Sequence, residues 1–349
     1  DRYKALSSYL NGQTLITRSF FYAYIYCLLI IICCIMLKSI LYKEPFYMNE
    51  LVEKIKKLKK EKNAVILAHC YQNVEIDEVA DYVGDSLYLS QRANETNADI
   101  IVFAGVYFMA QTAKLLSPDK KVLLPRMESG CRMADMIDLE QVKEFKSLHP
   151  NIPVVCYINS TAEVKSECDM CCTSSNAVKV VESMGAKEIL FLPDTYLGKW
   201  VEAKLGNIKI TTYPGFCPTH LQIKPKDILE AREKYPNAKV LAHPECHQEV
   251  VKLADYVGST TGIMKYAIES DNKQFIIATE KGVVDRLKRD YPDKEFILIK
   301  DNIICPNMKW HTLQDIYDAL GKEQHEITVD AEVAKKAVNC INRMLEVSK

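Results

Sequence analysis

No excess of charge of either sign is present in this sequence. Its 45 lysines and arginines stand against 46 aspartates and glutamates, which leaves a net charge of −1 over 349 residues. This balance gives no electrostatic basis for binding nucleic acid or an anionic membrane surface. Glycine and proline are also sparse, at 12 and 13 residues, which excludes a collagen-like repeat. With 48% hydrophobic residues, the composition is that of a globular protein with a sizeable core.

Cysteine, by contrast, is abundant, with 13 residues spread over the whole length. An odd number of cysteines in a chain this long fits poorly with a secreted protein stapled by disulfides. A reducing compartment, in which some thiolates hold metal, fits better. A cytoplasmic location is therefore expected.

The first 47 residues differ in character from the rest. Residues 20–37 form an unbroken apolar run between Arg18 and Lys38, a marginal length for a transmembrane segment. From Met48 the sequence changes abruptly to a charged amphipathic stretch. Two interpretations remain open: a membrane anchor precedes a soluble body, or residues 1–47 are not part of the fold and Met48 is the true start. The second is favoured, so a protein that starts at Met48 is expected to fold and to be active.

The rest of the chain contains an internal repeat. Residues 80–86 (ADYVGDS) and 254–260 (ADYVGST) are nearly identical and lie 174 positions apart, as do the Ala-His pairs at 68–69 and 242–243. Half of this separation predicts a third copy between them. A strand-like run at 154–159 (VVCYIN) lies there in register. Self-similarity at a fixed period indicates repeated structural units.

Each copy contains three apolar, strand-like runs separated by helix-like stretches. The runs cover 64–69, 100–105 and 121–125, then 154–159, 188–194 and 209–214, then 239–243, 275–280 and 295–300. Strands that alternate with helices predict parallel sheets covered on both faces. The predicted fold class is α/β, with three similar α/β/α domains related by pseudo-threefold symmetry around a central site. Their predicted bounds are 48–135, 136–222 and 223–349, the last including a carboxy-terminal helix.

One cysteine follows the third apolar run of each copy. Cys131, Cys217 and Cys305 are spaced by 86 and 88 residues. Ligands bind at the carboxyl ends of the strands in open α/β sheets, so three equivalent loops are expected to bring these thiols together. Three converging sulfurs suit a zinc ion or an iron–sulfur cluster, and a [4Fe–4S] cluster held by three cysteines leaves one iron open to substrate. The alternative is a packing role, the common one for a free cysteine, but the shared register favours ligands.

The other cysteines of the body show no such register. Cys168 and Cys171 form a C-x-x-C pair, which zinc and redox sites use, but the sequence contains no second C-x-x-C. Cys217 and His220 form a C-x-x-H that also lacks a matching pair. Packing roles are predicted for the remaining cysteines, which are Cys70, Cys156, Cys172, Cys246 and Cys340.

Polar side chains follow the first strand of every copy, and hydroxyl groups begin each adjoining helix. Histidine and glutamate suit proton transfer, and hydroxyl or amide groups orient carboxylates and phosphates, the more so near a helix start. Each of these groups alone is explained as a cap or a core polar residue, but their agreement in three copies predicts a shared central pocket. The strand-end residues are His69, Tyr71, Tyr157, Asn159, His243 and Glu245, and the hydroxyl groups are those of Ser86, Ser174, Ser259 and Thr260.

Residues from about 49 to 345 closely resemble the quinolinate synthase family, the A proteins of NAD biosynthesis. The motifs that carry the resemblance are AHCYQ (68–72), GVYFMAQTAK (105–114), GCRMADM (130–136), YINSTAEVK (157–165), CTSSNAVKVV (172–181), GFCPTH (215–220), HPEC (243–246), ADYVGST (254–260) and CPNMKWHTL (305–313). The resemblance implies that Cys131, Cys217 and Cys305 hold a [4Fe–4S] cluster at the centre of a three-domain fold. It has no counterpart to residues 1–47.

The resemblance also implies an activity. Iminosuccinate (iminoaspartate) would condense with dihydroxyacetone phosphate to give quinolinate, phosphate and water, with the open iron acting as a Lewis acid. Functional coupling to an aspartate oxidase or dehydrogenase, which would supply iminosuccinate, is implied as well. Tyr71 and His69 are expected to take part in proton transfer, and Glu245 is the expected base. The substrate pocket carries over onto His69, Ser86, Tyr157, Asn159, Ser174, His243, Glu245 and Thr260.

Two departures from the family pattern occur, at Cys70, where tyrosine is usual, and at Gln111, where glutamate is usual. Neither is a proposed ligand.

Two other functions stay open. An aconitase-type [4Fe–4S] hydro-lyase would also leave one iron open but would need no phosphate site. A non-catalytic metal or electron-transfer protein would require four protein ligands and a filled, dry centre.

Overall fold

Three parallel four-stranded sheets organise the part of the chain that the computed structural model describes, residues 48–349. The first sheet has the order β2-β1-β3-β4 and contains β1 (Ala64–His69), β2 (Tyr82–Gly84), β3 (Ile100–Ala104) and β4 (Lys121–Leu123). The second has the order β6-β5-β7-β8, with β5 (Val154–Tyr157), β6 (Met170–Cys172), β7 (Glu188–Leu192) and β8 (Lys209–Thr212). The third has the order β10-β9-β11-β12, with β9 (Lys239–Ala242), β10 (Tyr256–Val257), β11 (Gln274–Ala278) and β12 (Glu295–Leu298).

The predicted α/β fold of three similar units is therefore confirmed. All strand pairs are parallel, and the order of strands is the same in each sheet. Each sheet lies inside one of the three predicted segments, whose boundaries stay predictions. The apolar run at 20–37 and the predicted separate segment 1–47 lie outside the described residues.

Helices connect the strands, as parallel pairing requires. The first helix, α1, covers residues 48–61. The others are α2 (Ser86–Glu95), α3 (Tyr107–Leu116), α4 (Leu139–Ser147), α5 (Ala162–Ser166), α6 (Ala177–Ser183), α7 (Thr195–Leu205), α8 (Pro225–Lys234), α9 (Gln248–Lys252), α10 (Thr260–Glu269), α11 (Lys281–Asp290), α12 (Leu313–Lys322) and α13 (Ala331–Val347). Short 3-10 turns occupy Val74–Glu78, Ala134–Met136, His220–Gln222 and Pro306–Lys309.

The central strands are apolar over most of their length because both faces of each sheet are covered. Every residue of β3 is buried, and five of the six residues of β1 are. Such strands read as continuous hydrophobic runs rather than as alternating ones, which is why the sequence reveals them. The second strand of each sheet, β2, β6 or β10, is only two or three residues long and gives no such signal.

The repeated units carry their polar residues to the carboxyl ends of their strands. His69 is the last residue of β1, Tyr157 is the last residue of β5, and His243 follows β9 directly.

Within residues 48–349, no helix has the length and apolar character needed to cross a membrane.

Candidate active site

A cavity of about 290 Å³ receives the strand ends of all three repeats. It is lined by nearly every residue that the sequence singles out. Ser259 is the exception, since its hydroxyl instead accepts the Gly262 N–H at the start of α10 (3.1 Å). The predicted residues on the cavity wall are His69, Tyr71, Ser86, Cys131, Tyr157, Asn159, Ser174, Cys217, His243, Glu245, Thr260 and Cys305.

The three cysteines on this wall have matching local settings. Each lies on the loop that follows the fourth strand of its sheet, just before a 3-10 turn. The backbone N–H three residues further on points to the cysteine sulfur, from Ala134, His220 or Met308. Cys131, Cys217 and Cys305 are called the cavity triad below. N–H donors aimed at sulfur stabilise its negatively charged form and so suit a metal-bound thiolate.

The spacing of the cavity triad fits a cluster better than a single ion. Its three sulfurs are not all within 4.8 Å of one another. A lone zinc ion draws its sulfurs closer than that, since each Zn–S bond is about 2.3 Å long. The thiols are only partly buried, open onto the cavity, and influence one another electrostatically. Burial raises the pKa of Cys131 to about 12, so a bound metal is needed to make it a thiolate.

Glu245 is the centre of the hydrogen-bond network in the cavity. The hydroxyl of Tyr157 donates to its Oε1 at 2.6 Å, and Nδ1 of His220 lies 2.7 Å from its Oε2. Burial opposes a charge on this carboxyl group, but His243, His220 and the Tyr157 hydroxyl outweigh burial and lower its pKa. Glu245 is therefore ionised throughout the physiological range.

His69 and His243 are neutral and have the same orientation in their repeats. The N–H of Tyr71 donates to Nδ1 of His69 at 3.1 Å, and the N–H of Glu245 donates to Nδ1 of His243 at 3.3 Å. Burial lowers the pKa of both imidazoles to about 3. Because Nδ1 accepts in each case, the proton of each neutral ring resides on Nε2. Both rings can therefore donate one hydrogen bond to a ligand.

A chain of hydrogen bonds links Tyr71 to Glu245 through His220. The Tyr71 hydroxyl lies 3.0 Å from the hydroxyls of both Thr260 and Thr279. Thr279 in turn lies 2.8 Å from Nε2 of His220, whose Nδ1 faces Glu245 and is also 3.2 Å from the Cys217 sulfur. This chain is able to pass a proton across the cavity wall.

Several groups on the wall are left free for a ligand. Oδ1 of Asn159 is buried and has no hydrogen-bond partner among the described residues. Ser86 and Thr260 are the first residues of α2 and α10, where backbone N–H groups favour anions. The Ser174 hydroxyl is within hydrogen-bond reach of Tyr157. A carboxylate or a phosphate would satisfy the N–H and hydroxyl donors, and an N–H or O–H group of a ligand would satisfy Oδ1 of Asn159.

Two residues of the site were missed at the sequence level. His220 was set aside because its C-x-x-H lacks a matching pair, yet it contacts both Cys217 and Glu245. The available signal in the sequence is its position: His220 lies three residues after Cys217, as Ala134 and Met308 lie three residues after the other two cysteines. Arg132, next to Cys131, is exposed and is the only guanidinium among the described residues of the wall. Nothing in its motif distinguishes it from a solvated surface arginine.

The two departures from the family pattern lie away from this wall. Cys70 is buried and borders a different pocket, next to Arg286. Gln111 is also buried, and its Oε1 accepts the N–H of Ala162 at 3.2 Å. Gln111 thus joins α3 to α5, and neither substitution changes the lining of the cavity.

Comparison with known proteins agrees with this geometry. The sequence model of the quinolinate synthetase A protein family matches residues 53–346. The chain belongs to the quinolinate synthase family. Among its curated relatives, the quinolinate synthase of Alkaliphilus metalliredigens (strain QYMF) is 53% identical over 302 residues, which are 86% of this chain and 100% of that protein.

Other relatives of the same name are nearly as similar. The quinolinate synthase of Dehalococcoides mccartyi (strain CBDB1) is 50% identical over 86% of this chain and 99% of its own length. That of Clostridioides difficile (strain 630) is 48% identical over 85% of this chain and 97% of its own length. The predicted family is confirmed, and the matched region corresponds to the part of the chain that holds the three sheets.

Proposed function

We propose that this chain is a quinolinate synthase that condenses iminosuccinate with dihydroxyacetone phosphate to give quinolinate, phosphate and water. The observation that carries the proposal is the cavity triad. Three cysteines in equivalent loops open onto one cavity, opposite neutral imidazoles and hydroxyl groups from all three repeats. Membership of a family of enzymes with this name supports the same activity.

The cavity triad would hold a [4Fe–4S] cluster. Three cysteine ligands leave one iron without a protein ligand, and that iron would supply Lewis-acid chemistry to substrate oxygens. The role of the chain is to keep its three sulfurs apart at fixed positions and to direct the N–H groups of Ala134, His220 and Met308 at them. Hydrogen bonds to the sulfurs also tune the properties of such a cluster.

Binding and orientation fall to the groups that lack partners or face the cavity. The two Nε2–H groups of His69 and His243 can donate to a carboxylate of iminosuccinate, and Asn159 offers a free carbonyl oxygen to its imine N–H. The starts of α2 and α10 favour the negative charges that both substrates carry. Placing both reactants in one enclosed cavity makes their condensation effectively unimolecular.

Proton transfer falls to Glu245 and the two tyrosines. Removal of protons from carbon and nitrogen requires a base, and the lowered pKa of Glu245 leaves it ionised in the free protein. Its two hydrogen-bond donors make it a weak base in the free protein. When substrate displaces the Tyr157 hydroxyl, one carboxylate oxygen becomes free and its basicity rises. The chain through His220 and Thr279 then connects Glu245 with the Tyr71 hydroxyl.

Arg132 is suited to receive the phosphate. It lies on the cavity wall, is exposed, and forms no recorded ion pair within residues 48–349. A guanidinium group binds phosphate oxygens in a bidentate manner. Arg132→Ala is expected to raise the KM for dihydroxyacetone phosphate about tenfold, the effect of one hydrogen-bonded charge, and to leave the KM for iminosuccinate unchanged.

The two other functions are less well supported. A structural or electron-transfer site would place four protein ligands around a filled centre, whereas three cysteines here surround a cavity of about 290 Å³. An aconitase-type hydro-lyase needs no phosphate site, so the arginine and the two helix starts on the wall favour the condensation. Iminosuccinate itself would come from an aspartate oxidase or dehydrogenase, in a reducing cytoplasm that preserves the cluster.

The proposal is tested by supplying both substrates to the anaerobically purified protein. Iminosuccinate is generated in place from aspartate by a separate aspartate dehydrogenase, with an oxidised nicotinamide cofactor as the electron acceptor, and quinolinate is measured by mass spectrometry. Quinolinate should form only when dihydroxyacetone phosphate is present. Dehydration of a hydroxy acid to an unsaturated acid, without formation of quinolinate, would support the hydro-lyase instead, and no turnover by a protein with a full cluster would contradict both.

A further inference from the structure

A second group of thiols lies in the core of the second repeat, away from the cavity. The Cys156 and Cys171 sulfurs are 3.4 Å apart, those of Cys171 and Cys340 are 3.2 Å apart, and those of Cys156 and Cys340 are 3.8 Å apart. All three side chains are 0–1% exposed. Packing roles account for the burial of these cysteines but not for their convergence.

The fold assembles this group from three distant parts of the chain. Cys156 on β5 and Cys171 on β6 lie directly opposite each other in the parallel register. The last helix, α13, packs against α5 and β6 and adds Cys340. Cys168 is the candidate for a fourth ligand: it is half-buried and adjoins Cys156, but its sulfur lies outside the group of three and would have to turn towards them to bind the same ion. Its thiol now donates to the carbonyl oxygen of Val164 at 3.1 Å.

The sulfur–sulfur distances are equal to, or about half an ångström shorter than, those around one metal ion. Four thiolates in a tetrahedron around zinc, at about 2.3 Å each, lie about 3.8 Å from one another. A disulfide would need about 2.05 Å. An iron–sulfur cluster would hold its cysteine sulfurs further apart than a single ion does. The three sulfurs here lie within the spacing that a single metal ion requires, in contrast to the cavity triad.

A buried cation beside the group supports a ligand with negative charge. Lys165 of α5 is 0% exposed, and its ammonium group donates to the carbonyl oxygens of Ile158, at 2.9 Å, and Ser160. It has no carboxylate partner among the ion pairs of the described residues. It does act electrostatically on both Cys156 and Cys171. An unpaired buried charge is costly, and a zinc ion with four thiolates, whose net charge is negative, would compensate it.

We propose that Cys156, Cys168, Cys171 and Cys340 form a tetrahedral zinc site that ties α13 to the second sheet. The C-x-x-C at 168–171 then has its missing second pair, which Cys156 and Cys340 supply from positions that the sequence does not bring together. Zinc is the expected metal because four sulfur ligands in a tetrahedron suit it and because it binds such ligands more tightly than ferrous iron.

The test is metal analysis of the full chain after anaerobic reconstitution of the cluster with iron and sulfide. We expect about one zinc ion per chain in addition to the iron. X-ray absorption at the zinc edge should show only sulfur neighbours, at about 2.3 Å. This measurement needs no variant, so it holds even if a substitution in the core prevents folding.

Variants then assign the zinc to this group rather than to the cavity triad. Cys171→Ser and Cys340→Ser should lose zinc and keep iron, whereas Cys305→Ala should lose iron and keep zinc. Cys172→Ser is the matched control, because Cys172 is the next residue of β6, is equally buried, and points to the opposite face of the sheet. It should keep both metals.

Several results would overturn the proposal. A protein that lacks zinc and has four free thiols would do so. So would a mass lower by two hydrogens, which reveals a disulfide, or iron in place of zinc at the site. Zinc that persists in both Cys171→Ser and Cys340→Ser would place it elsewhere and would also contradict the assignment.

Discussion

The two groups of cysteines in this protein differ in their origin in the chain, their burial and the spacing of their sulfurs. The cavity triad comes from equivalent loops of three repeats, is partly exposed, and keeps its sulfurs apart. The sulfurs of Cys156, Cys171 and Cys340 come from one sheet and the last helix, are fully buried, and lie within 3.8 Å of one another. Repetition in sequence thus accompanies the proposed cluster site, whereas the proposed zinc site is assembled by packing without repetition.

The largest effect should separate the two groups. Cys305→Ala is expected to abolish both the brown chromophore of the cluster and the formation of quinolinate, because two cysteines cannot hold it. Cys168→Ala should leave both largely intact, since it lies outside the cavity. Iron content, visible absorption and anaerobic activity measure this, and a normal cluster spectrum in Cys305→Ala would refute the assignment of the triad.

A smaller effect on turnover is expected at Glu245, which lies beside the cavity triad and not beside the other group of cysteines. Glu245→Gln should keep the cluster and still bind substrate, but lose roughly 10²–10⁴ in turnover, the usual contribution of a general base. Glu249→Gln, an exposed neighbour on α9, is the control and should behave as wild type. If turnover is nearly normal, Glu245 serves only to hold Tyr157 and His220.

Asn159 should show a still smaller effect that falls on binding alone. Its buried Oδ1 has no hydrogen-bond partner among the described residues, so Asn159→Ala removes the proposed hydrogen bond to substrate without breaking one of this oxygen within the protein. We expect the KM for iminosuccinate to rise about tenfold, at unchanged thermal stability. A fall in the melting temperature with an unchanged KM would show that the side chain is structural.

The smallest effect is a pH dependence of stability. His69 and His243 have pKa values lowered to about 3 by burial, whereas both ionise near 6.5 when unfolded. Below pH 6.5 the unfolded chain therefore binds protons that the folded chain cannot, and stability falls. The expected loss is about 1 kcal/mol per histidine between pH 6.5 and 5.5. Denaturant unfolding should show a shallower pH slope in His243→Gln, and an identical slope would contradict the neutral state.

Repetition also explains how much could be predicted from the sequence. The nine apolar strand-like runs, the cavity triad and the strand-end residues recur at about 87-residue spacing, so a pattern search finds them. The strands β2, β6 and β10 and His220 do not stand out, since these strands give no apolar run and one histidine has no matching partner, whereas Ser259 stands out but caps α10. Cys340 joins Cys156 only through the packing of α13, a contact between residues 184 positions apart.

Mössbauer spectroscopy of protein reconstituted with ⁵⁷Fe, before and after quinolinate is added, tests the central claim most directly. The claim is that three equivalent cysteines hold a cluster with one iron open to the cavity. We expect one iron site in four to change its signal when quinolinate binds, while the other three stay as they were. A cluster whose irons all ignore quinolinate, or a reconstituted protein that holds no cluster, would contradict the account.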